Sequence, residues 1–420
     1  ESPIITDDSE LKNEYSYLSQ FLDLLKNDSN FLSQSEEISS SLCHIKDIRS
    51  TIDRLSNGII LDDIELYEIK NLTLITLKIQ EILSNYNQTA IIFPNLGDVL
   101  TILDPENRGI NSFYIYNVYD DQLSELRNKL NNCDTQYIDE INYKIAIIEE
   151  RVRKEICKKL YLFTKDFLDS LLCNYKLDLL LAKAKQIIEL NLSIPIISNN
   201  RVEHKGLFNP EVSSILKNEN KTYQPIDIEF SNSSPKLITG SNMGGKSLTL
   251  KTIALSQIMF QFGMGVPSTS SLISIVEDIV YIHGDMENYS MGLSSFAAEM
   301  KRLDSLIKKL PTEQNILTLI DEPARTTNPL EGTALVSSLI KIISNYRCYC
   351  IITTHYHIKN ILCDRVRVVG FDNGQMNYSL IDDSGKDIPM EALKIATHIG
   401  IDSQWINIAY KELETNNNNI

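Results

Sequence analysis

Apolar residues in the first 190 positions recur at helical spacing. Between residues 11 and 26, Leu18, Phe21, Leu22 and Leu25 fall on one side of a helix. Asp62-Asp63-Ile64-Glu65 opens another, with acids in its first turn. Residues 139–190 hold neither proline nor glycine, and Ile145, Ile148, Val152, Ile156, Leu160 and Phe163 form a stripe through them. That pattern predicts one long helix or a hairpin bent near Asn174. Asp104-Pro105-Glu106-Asn107-Arg108-Gly109 followed by Phe113-Tyr114-Ile115-Tyr116 reads as a compact loop and strand. Residues 191–200, with Pro195 and Asn199-Asn200, read as a linker. Beyond it the period changes. Short apolar runs at 235–239, 316–320 and 348–354 read as strands, and 248–260 and 296–307 as helices. Residues 391–413 are helical again, and the polar run 416–419 reads as a disordered tail.

The change of period coincides with candidate chemistry. Gly240-Ser241-Asn242-Met243-Gly244-Gly245-Lys246-Ser247 fits the phosphate-binding loop G-x-x-x-x-G-K-[ST], set between a strand and a helix that starts at Leu248. Three glycines let successive backbone N–H groups turn toward phosphate oxygens, and the helix N-terminus adds its positive end. Lys246 is expected to reach the β- and γ-phosphates and Ser247 to ligate Mg²⁺. The run 316–320 ends in Asp321-Glu322. Asp321 is the candidate for the Mg²⁺ shell, and Glu322 for orienting and polarising the attacking water. His355, just past the third strand, is placed to sense a γ-phosphate.

These segments resemble the MutS family. The loop carries that family's Asn-Met-Gly-Gly-Lys-Ser. Residues 292–300 are similar to its serine-bearing signature, Arg325-Thr326-Thr327-Asn328 to its dimer loop, and Thr354-His355-Tyr356 to its switch. Tyr223 precedes Pro225-Ile226-Asp227, where the family carries an aromatic that stacks on adenine. The resemblance implies an α/β P-loop ATPase domain of ABC-like, MutS type at 196–390. A mostly helical core and lever domain without a full DNA clamp would precede it at 1–195, and a C-terminal helical dimerisation segment and tail would follow at 391–420. It implies ATP and Mg²⁺, with Gly240, Ser241, Asn242, Met243, Gly244, Gly245, Lys246, Ser247 and Leu248 on the nucleotide. It also implies a homodimer, or a heterodimer with a related subunit, in which Ser294 and Ser295 act on the partner's nucleotide.

Composition limits the target. The chain has 420 residues, 43% hydrophobic and 23% charged, and its net charge is −16. It lacks a run of eighteen apolar residues, so no membrane span is expected. Seven scattered cysteines suit reduced thiols in the cytoplasm. A DNA-binding protein gains much of its affinity from lysine and arginine neutralising phosphates. The best basic stretch, Arg151, Arg153, Lys154, Lys158, Lys159 and Lys165, mixes with Glu149, Glu150 and Glu155 and reads as a solvated face. The run 322–329, with Pro323 and Pro329, departs from the Gly-Arg-Gly-Thr-Ser-Thr of repair proteins. It resembles instead the short branch associated with reactivation of adenosylcobalamin-dependent aminomutases of the lysine 5,6-aminomutase type. The expected function is therefore ATP-driven remodelling of a protein client, an aminomutase. A DNA-binding relative in mismatch repair or recombination is the alternative, DNA being the less favoured partner. A relic that binds nucleotide without turnover would be hard to reconcile with intact Lys246, Ser247, Asp321 and Glu322.

Overall fold

The computed structural model describes residues 4–130, 137–240, 244–283, 295–312, 315–358, 361–372, 374–383 and 392–417. It is a mixed α/β protein with a helical N-terminal region. The chain divides into two compact units, Tyr17–Lys185 and Glu1–Ser16 together with Gln186–Ile420. The division lies ten residues before the one expected at 195, and residues 191–200 are more than a linker. Within them, β1 (Ile196–Ser198) pairs in parallel with β5 (Ser270–Ser274).

The helices are α1 (Asp8–Asn27), α2 (Ser29–Leu42), α3 (Arg49–Ser56), α4 (Asp63–Leu83), α5 (Gly97–Leu103), α6 (Asp121–Leu130), α7 (Ile138–Leu160) and α8 (Thr164–Leu190). Asp62 accepts from the N–H groups of Ile64 and Glu65, and Glu65 reaches back to the Asp62 N–H, a capping box that fixes the start of α4. The stripe of α7 is buried at Ile145, Ile148, Val152, Ile156 and Leu160, packed with Ile52, Leu55, Leu66, Ile69 and Val99. Between α7 and α8 there is a single 3-10 turn, Tyr161–Phe163. The tract is thus neither of the two alternatives, one unbroken helix or a hairpin bent near Asn174: the interruption lies at Tyr161–Phe163. Asn174 is buried within α8, where its amide donates to Thr76 Oγ1 at 2.9 Å and to the Ser170 carbonyl at 2.9 Å.

The strand expected at 113–116 is also absent. That segment is a loop gathered around Asp104, whose carboxylate accepts from the N–H groups of Arg108 and Gly109 and from Tyr116 Oη at 2.6 Å, with Lys70 Nζ at 3.3 Å. Burial alone would raise the Asp104 carboxyl; the hydrogen bonds from Tyr116, Gly109, Arg108 and Lys70 bring it down to about 2. The loop's polar groups are thus drawn to one carboxylate rather than to a sheet.

The second unit holds two sheets. One is ordered β1-β5-β2-β3, with β2 (Arg201–Leu207) and β3 (Ile226–Ser231) antiparallel. The other is ordered β10-β9-β4-β8-β7-β6, comprising β4 (Lys236–Thr239), β6 (Asp278–His283), β7 (Ile316–Asp321), β8 (Tyr349–Thr354), β9 (Asp364–Asp372) and β10 (Gln375–Asp382). Strands β6, β7, β8, β4 and β9 run parallel and β10 closes the edge antiparallel. Every residue of β7 and β8 is buried, as expected of central strands covered on both faces. The remaining helices are α9 (Pro210–Asn218), α10 (Lys246–Gln261), α11 (Ser295–Lys309), α12 (Pro329–Ile343), α13 (Ala392–His398) and α14 (Ser403–Asn417). Leu303, Leu306 and Leu310 of the α11 region and Val336, Leu339 and Ile340 of α12 pack in one core with Ile320 and Ile352 of the sheet. α14 extends to Asn417, into the stretch expected as a tail.

In the smaller sheet, His204 is buried and its Nδ1 lies 2.8 Å from Ser271 Oγ. Burial pushes its pKa from 6.5 down to about 4. With the folded value below the unfolded one, its stabilising contribution is complete above pH 6.5 and is lost as pH falls toward 4. The loss is expected to reach about 3 kcal/mol. His204→Gln should flatten the pH dependence of urea unfolding across that window. An unchanged slope would show that His204 does not set the acid sensitivity.

Candidate functional site

Register brings the candidate residues to one end of the larger sheet. Asp321 is paired with His283 on one side and Thr353 on the other, and Thr239 with Thr354. The C-terminal edge of a parallel sheet is where α/β proteins bind ligands.

Gly240 follows β4 and has φ +132°, and Gly245 caps α10 with φ +72°. Both lie in the region that favours glycine. A Cβ on Gly245 would lie 3.2 Å from the Tyr378 ring. Ser241, Asn242 and Met243 lie outside the described residues, as do Ser294 and the side chain of Ser295. Gly244 is buried, and Ser247 and Leu248 are half-buried at the start of α10.

Lys246 folds back over the loop with only 2% of its side chain exposed. Its ammonium donates to the Gly240 carbonyl at 2.8 Å and lies 3.0 Å from Glu322 Oε1. Glu322 Oε2 lies 3.5 Å from Arg325. Asp321 is buried at the end of β7; its Oδ1 accepts from Thr353 Oγ1 at 2.7 Å and its Oδ2 lies 3.0 Å from His283 Nδ1. Thr353 also accepts from the Glu322 N–H at 2.9 Å, so one hydroxyl ties both acids to β8.

His355 is exposed, its ring 4.3 Å from that of Tyr356. Desolvation lowers its pKa below the ordinary value; Glu322 opposes this, while Lys246 and Arg325 reinforce it. The ring is therefore neutral at pH 7 and can donate or accept a hydrogen bond. Tyr223 is half-buried and precedes Gln224, whose amide donates to Asn377 Oδ1 at 2.8 Å and accepts from the Tyr378 N–H at 3.1 Å. The structure thus brings together Lys246, Asp321, Glu322 and the neighbourhood of His355.

His283, Thr353 and Tyr378 are not legible as site residues in the sequence. His283 and Thr353 could be found only by aligning the parallel strands on Asp321. Tyr378 lies more than 130 residues from Gly245 in sequence and carries no motif.

Residues 236–397 match the family model described as MutS domain V. Residues 236–397 are thus a MutS-family domain. It is 32% identical over 226 residues to Endonuclease MutS2 of Caldanaerobacter subterraneus subsp. tengcongensis, covering 52% of this chain and 28% of that protein. Endonuclease MutS2 of Finegoldia magna is 30% identical over 299 residues, 69% of this chain and 36% of the relative. DNA mismatch repair protein Msh3 of Dictyostelium discoideum is 37% identical over 150 residues, 35% of this chain and 10% of Msh3. The chain therefore spans about a third or less of the length of these MutS relatives. No helix among the described residues is long and apolar enough to cross a membrane.

Proposed function

We propose that this chain is an Mg²⁺-dependent ATP hydrolase whose cycle acts on DNA. The observation that carries the hydrolase reading is the buried Lys246 ammonium, held beside Glu322 at the mouth of a glycine turn and the N-terminus of α10. A buried ammonium requires an anion, and Glu322 supplies one. A terminal phosphate would meet the same ammonium together with the orphan N–H groups of the helix. Asp321 and Ser247 offer the hard oxygen donors that suit Mg²⁺. Bound there, the ion would neutralise charge on the phosphates. Glu322 would orient the attacking water and take its proton, His355 would hydrogen-bond the terminal phosphate, and Tyr223 would stack on adenine. Ser294 and Ser295 would complete a partner's site in a dimer.

For the target, the relatives' names favour nucleic acid: they are an endonuclease and a DNA mismatch repair protein. The exposed lysines Lys154, Lys158, Lys159 and Lys165 have no ion-pair partner among the described residues and suit phosphate contacts. Reactivation of an aminomutase, expected from the 322–329 loop, finds no support among these relatives. A protein client stands as the second reading on one observation. The neighbouring basic residues are already neutralised, Arg127 by Glu149 at 2.7 Å, Arg151 by Asp120 at 2.5 Å and Arg153 by Asp63 at 2.9 Å, on a chain of net charge −16.

Steady-state ATP hydrolysis with and without duplex DNA, across a salt series, separates the two. Stimulation that weakens steeply with salt is the expected result, because phosphate contacts release counterions. Hydrolysis indifferent to DNA at low salt would overturn the DNA reading and favour a protein client.

A further inference from the structure

Immediately after Asp321 the chain makes an unusual turn. Glu322 has φ +47° and Ala324 has φ +60°, and Pro323 lies between them. Neither flanking residue is glycine, so both sit in a left-handed region that L side chains rarely adopt. Proline fixes its own φ and offers no N–H to help. Such a backbone persists only where its surroundings hold it.

Three side chains provide that hold. Thr353 Oγ1 accepts from the Glu322 N–H at 2.9 Å. Glu299, a carboxylate on α11 that is 4% exposed, accepts from the Ala324 N–H through Oε1 at 3.2 Å and Oε2 at 3.3 Å. Tyr356 Oη donates to the Ala324 carbonyl at 2.7 Å, and the Thr327 N–H donates to the same oxygen at 3.2 Å. Ala324 is itself 1% exposed, so water does not substitute for these partners. The clamp is closed from beneath by α12. Gly332 lies so near Tyr356 that any side chain there would displace the ring. Burial, with the Glu299 and Glu322 charges, holds the Tyr356 phenol above its ordinary pKa, so it stays a donor.

We infer that Glu299 and Tyr356 are positioning residues that grip Ala324 from both of its peptide groups and thereby aim the Glu322 carboxylate at Lys246. The inference rests on the hydrolase reading for its kinetic consequence, but the clamp itself can be measured without nucleotide. It links α11 and the residue after His355 to the acid proposed to handle water. A shift of either is transmitted to Glu322 through the short turn at Pro323. Toward the Ala324 N–H Glu299 acts as a hydrogen-bond acceptor, a role an amide oxygen can also fill.

The test uses the full chain with Glu299→Ala, Glu299→Gln and Tyr356→Phe. Hydrogen exchange of the peptide containing Ala324 is expected to quicken in Glu299→Ala and to stay near wild type in Glu299→Gln. In steady-state hydrolysis Glu299→Ala should lower kcat about 10-fold or more with KM for ATP little changed, since misplaced groups weaken the transition state rather than binding. Glu299→Gln should recover most of that rate. Unchanged exchange and kcat in Glu299→Ala would overturn the inference. So would a glutamine variant as impaired as the alanine one, or a rise in KM that accounts for the whole loss. If Glu299→Ala does not fold, Tyr356→Phe decides, because it removes one hydroxyl: kcat should fall several-fold at constant KM, and a wild-type kcat would refute the clamp. A wild-type chain without ATPase activity would instead refute the hydrolase reading, while the exchange result would still judge the clamp.

Discussion

Replacing Glu322 with glutamine is expected to lower the rate of ATP hydrolysis at least about 100-fold while nucleotide still binds. Glutamine keeps the size of the side chain and its hydrogen-bonding reach, but it cannot take a proton from water. The carboxylate is held within a tightly specified frame: its N–H is fixed by Thr353, its Oε1 lies 3.0 Å from the Lys246 ammonium, and the turn that follows is left-handed at Ala324. Removing its negative charge also leaves Lys246 freer to meet a phosphate, so affinity should be retained or improved. Single-turnover hydrolysis and equilibrium binding of ATP, measured side by side, check the two halves of this expectation. Turnover within a few-fold of wild type would remove Glu322 from the role of base. Loss of binding together with turnover would show that the glutamine had damaged the loop rather than the chemistry.

The frame around Glu322 also marks the limit of what the chain discloses as a sequence. Strands β7 and β8 are legible because they are buried on both faces and therefore read as unbroken apolar runs. The α7 stripe is legible because one face meets the core and the other does not. Lys246, Asp321 and Glu322 stand at the ends of such segments, where local pattern and chemistry coincide. α8 is harder, since leucines occupy both of its faces: Leu168, Leu172 and Leu179 are exposed on one side while Leu171, Leu177 and Leu180 are buried on the other, so apolar character alone does not mark the inner face. Asn174 admits a break as one alternative because its partner, Thr76, lies 98 residues away. The same holds for His283 on Asp321 and for Glu299 on Ala324: each pairing crosses from one element to another that is distant in sequence. The loop at 104–116 misleads for a related reason. A buried carboxylate can organise an irregular segment that an aromatic-rich sequence presents as a strand.

Lys246→Ala is expected to remove nucleotide affinity almost completely. The ammonium is buried, and its partners, the Gly240 carbonyl and Glu322, lie on the two segments between which a phosphate would have to sit. Hydrogen bonds to charged groups contribute about 1.5–3 kcal/mol each. Loss of one such contact corresponds to roughly a ten- to hundred-fold weakening, and two would exceed that. A second penalty acts on the protein itself. Without Lys246, Glu322 faces Arg325 at the longer distance of 3.5 Å and is still largely enclosed, which leaves a carboxylate poorly compensated. Thermal unfolding with and without Mg²⁺-ATP separates the two effects. For the wild type, ligand at about 100 times Kd adds about 2.7 kcal/mol of stability. Lys246→Ala should begin from a lower midpoint and gain nothing from the same nucleotide concentration. A midpoint that rises with ATP as far as the wild type's would show that the phosphates are held elsewhere, and the loop after β4 would lose its place in the site. A lowered starting midpoint without any ligand response is the outcome that joins the ion pair seen at Glu322 to the phosphate site proposed for the same ammonium.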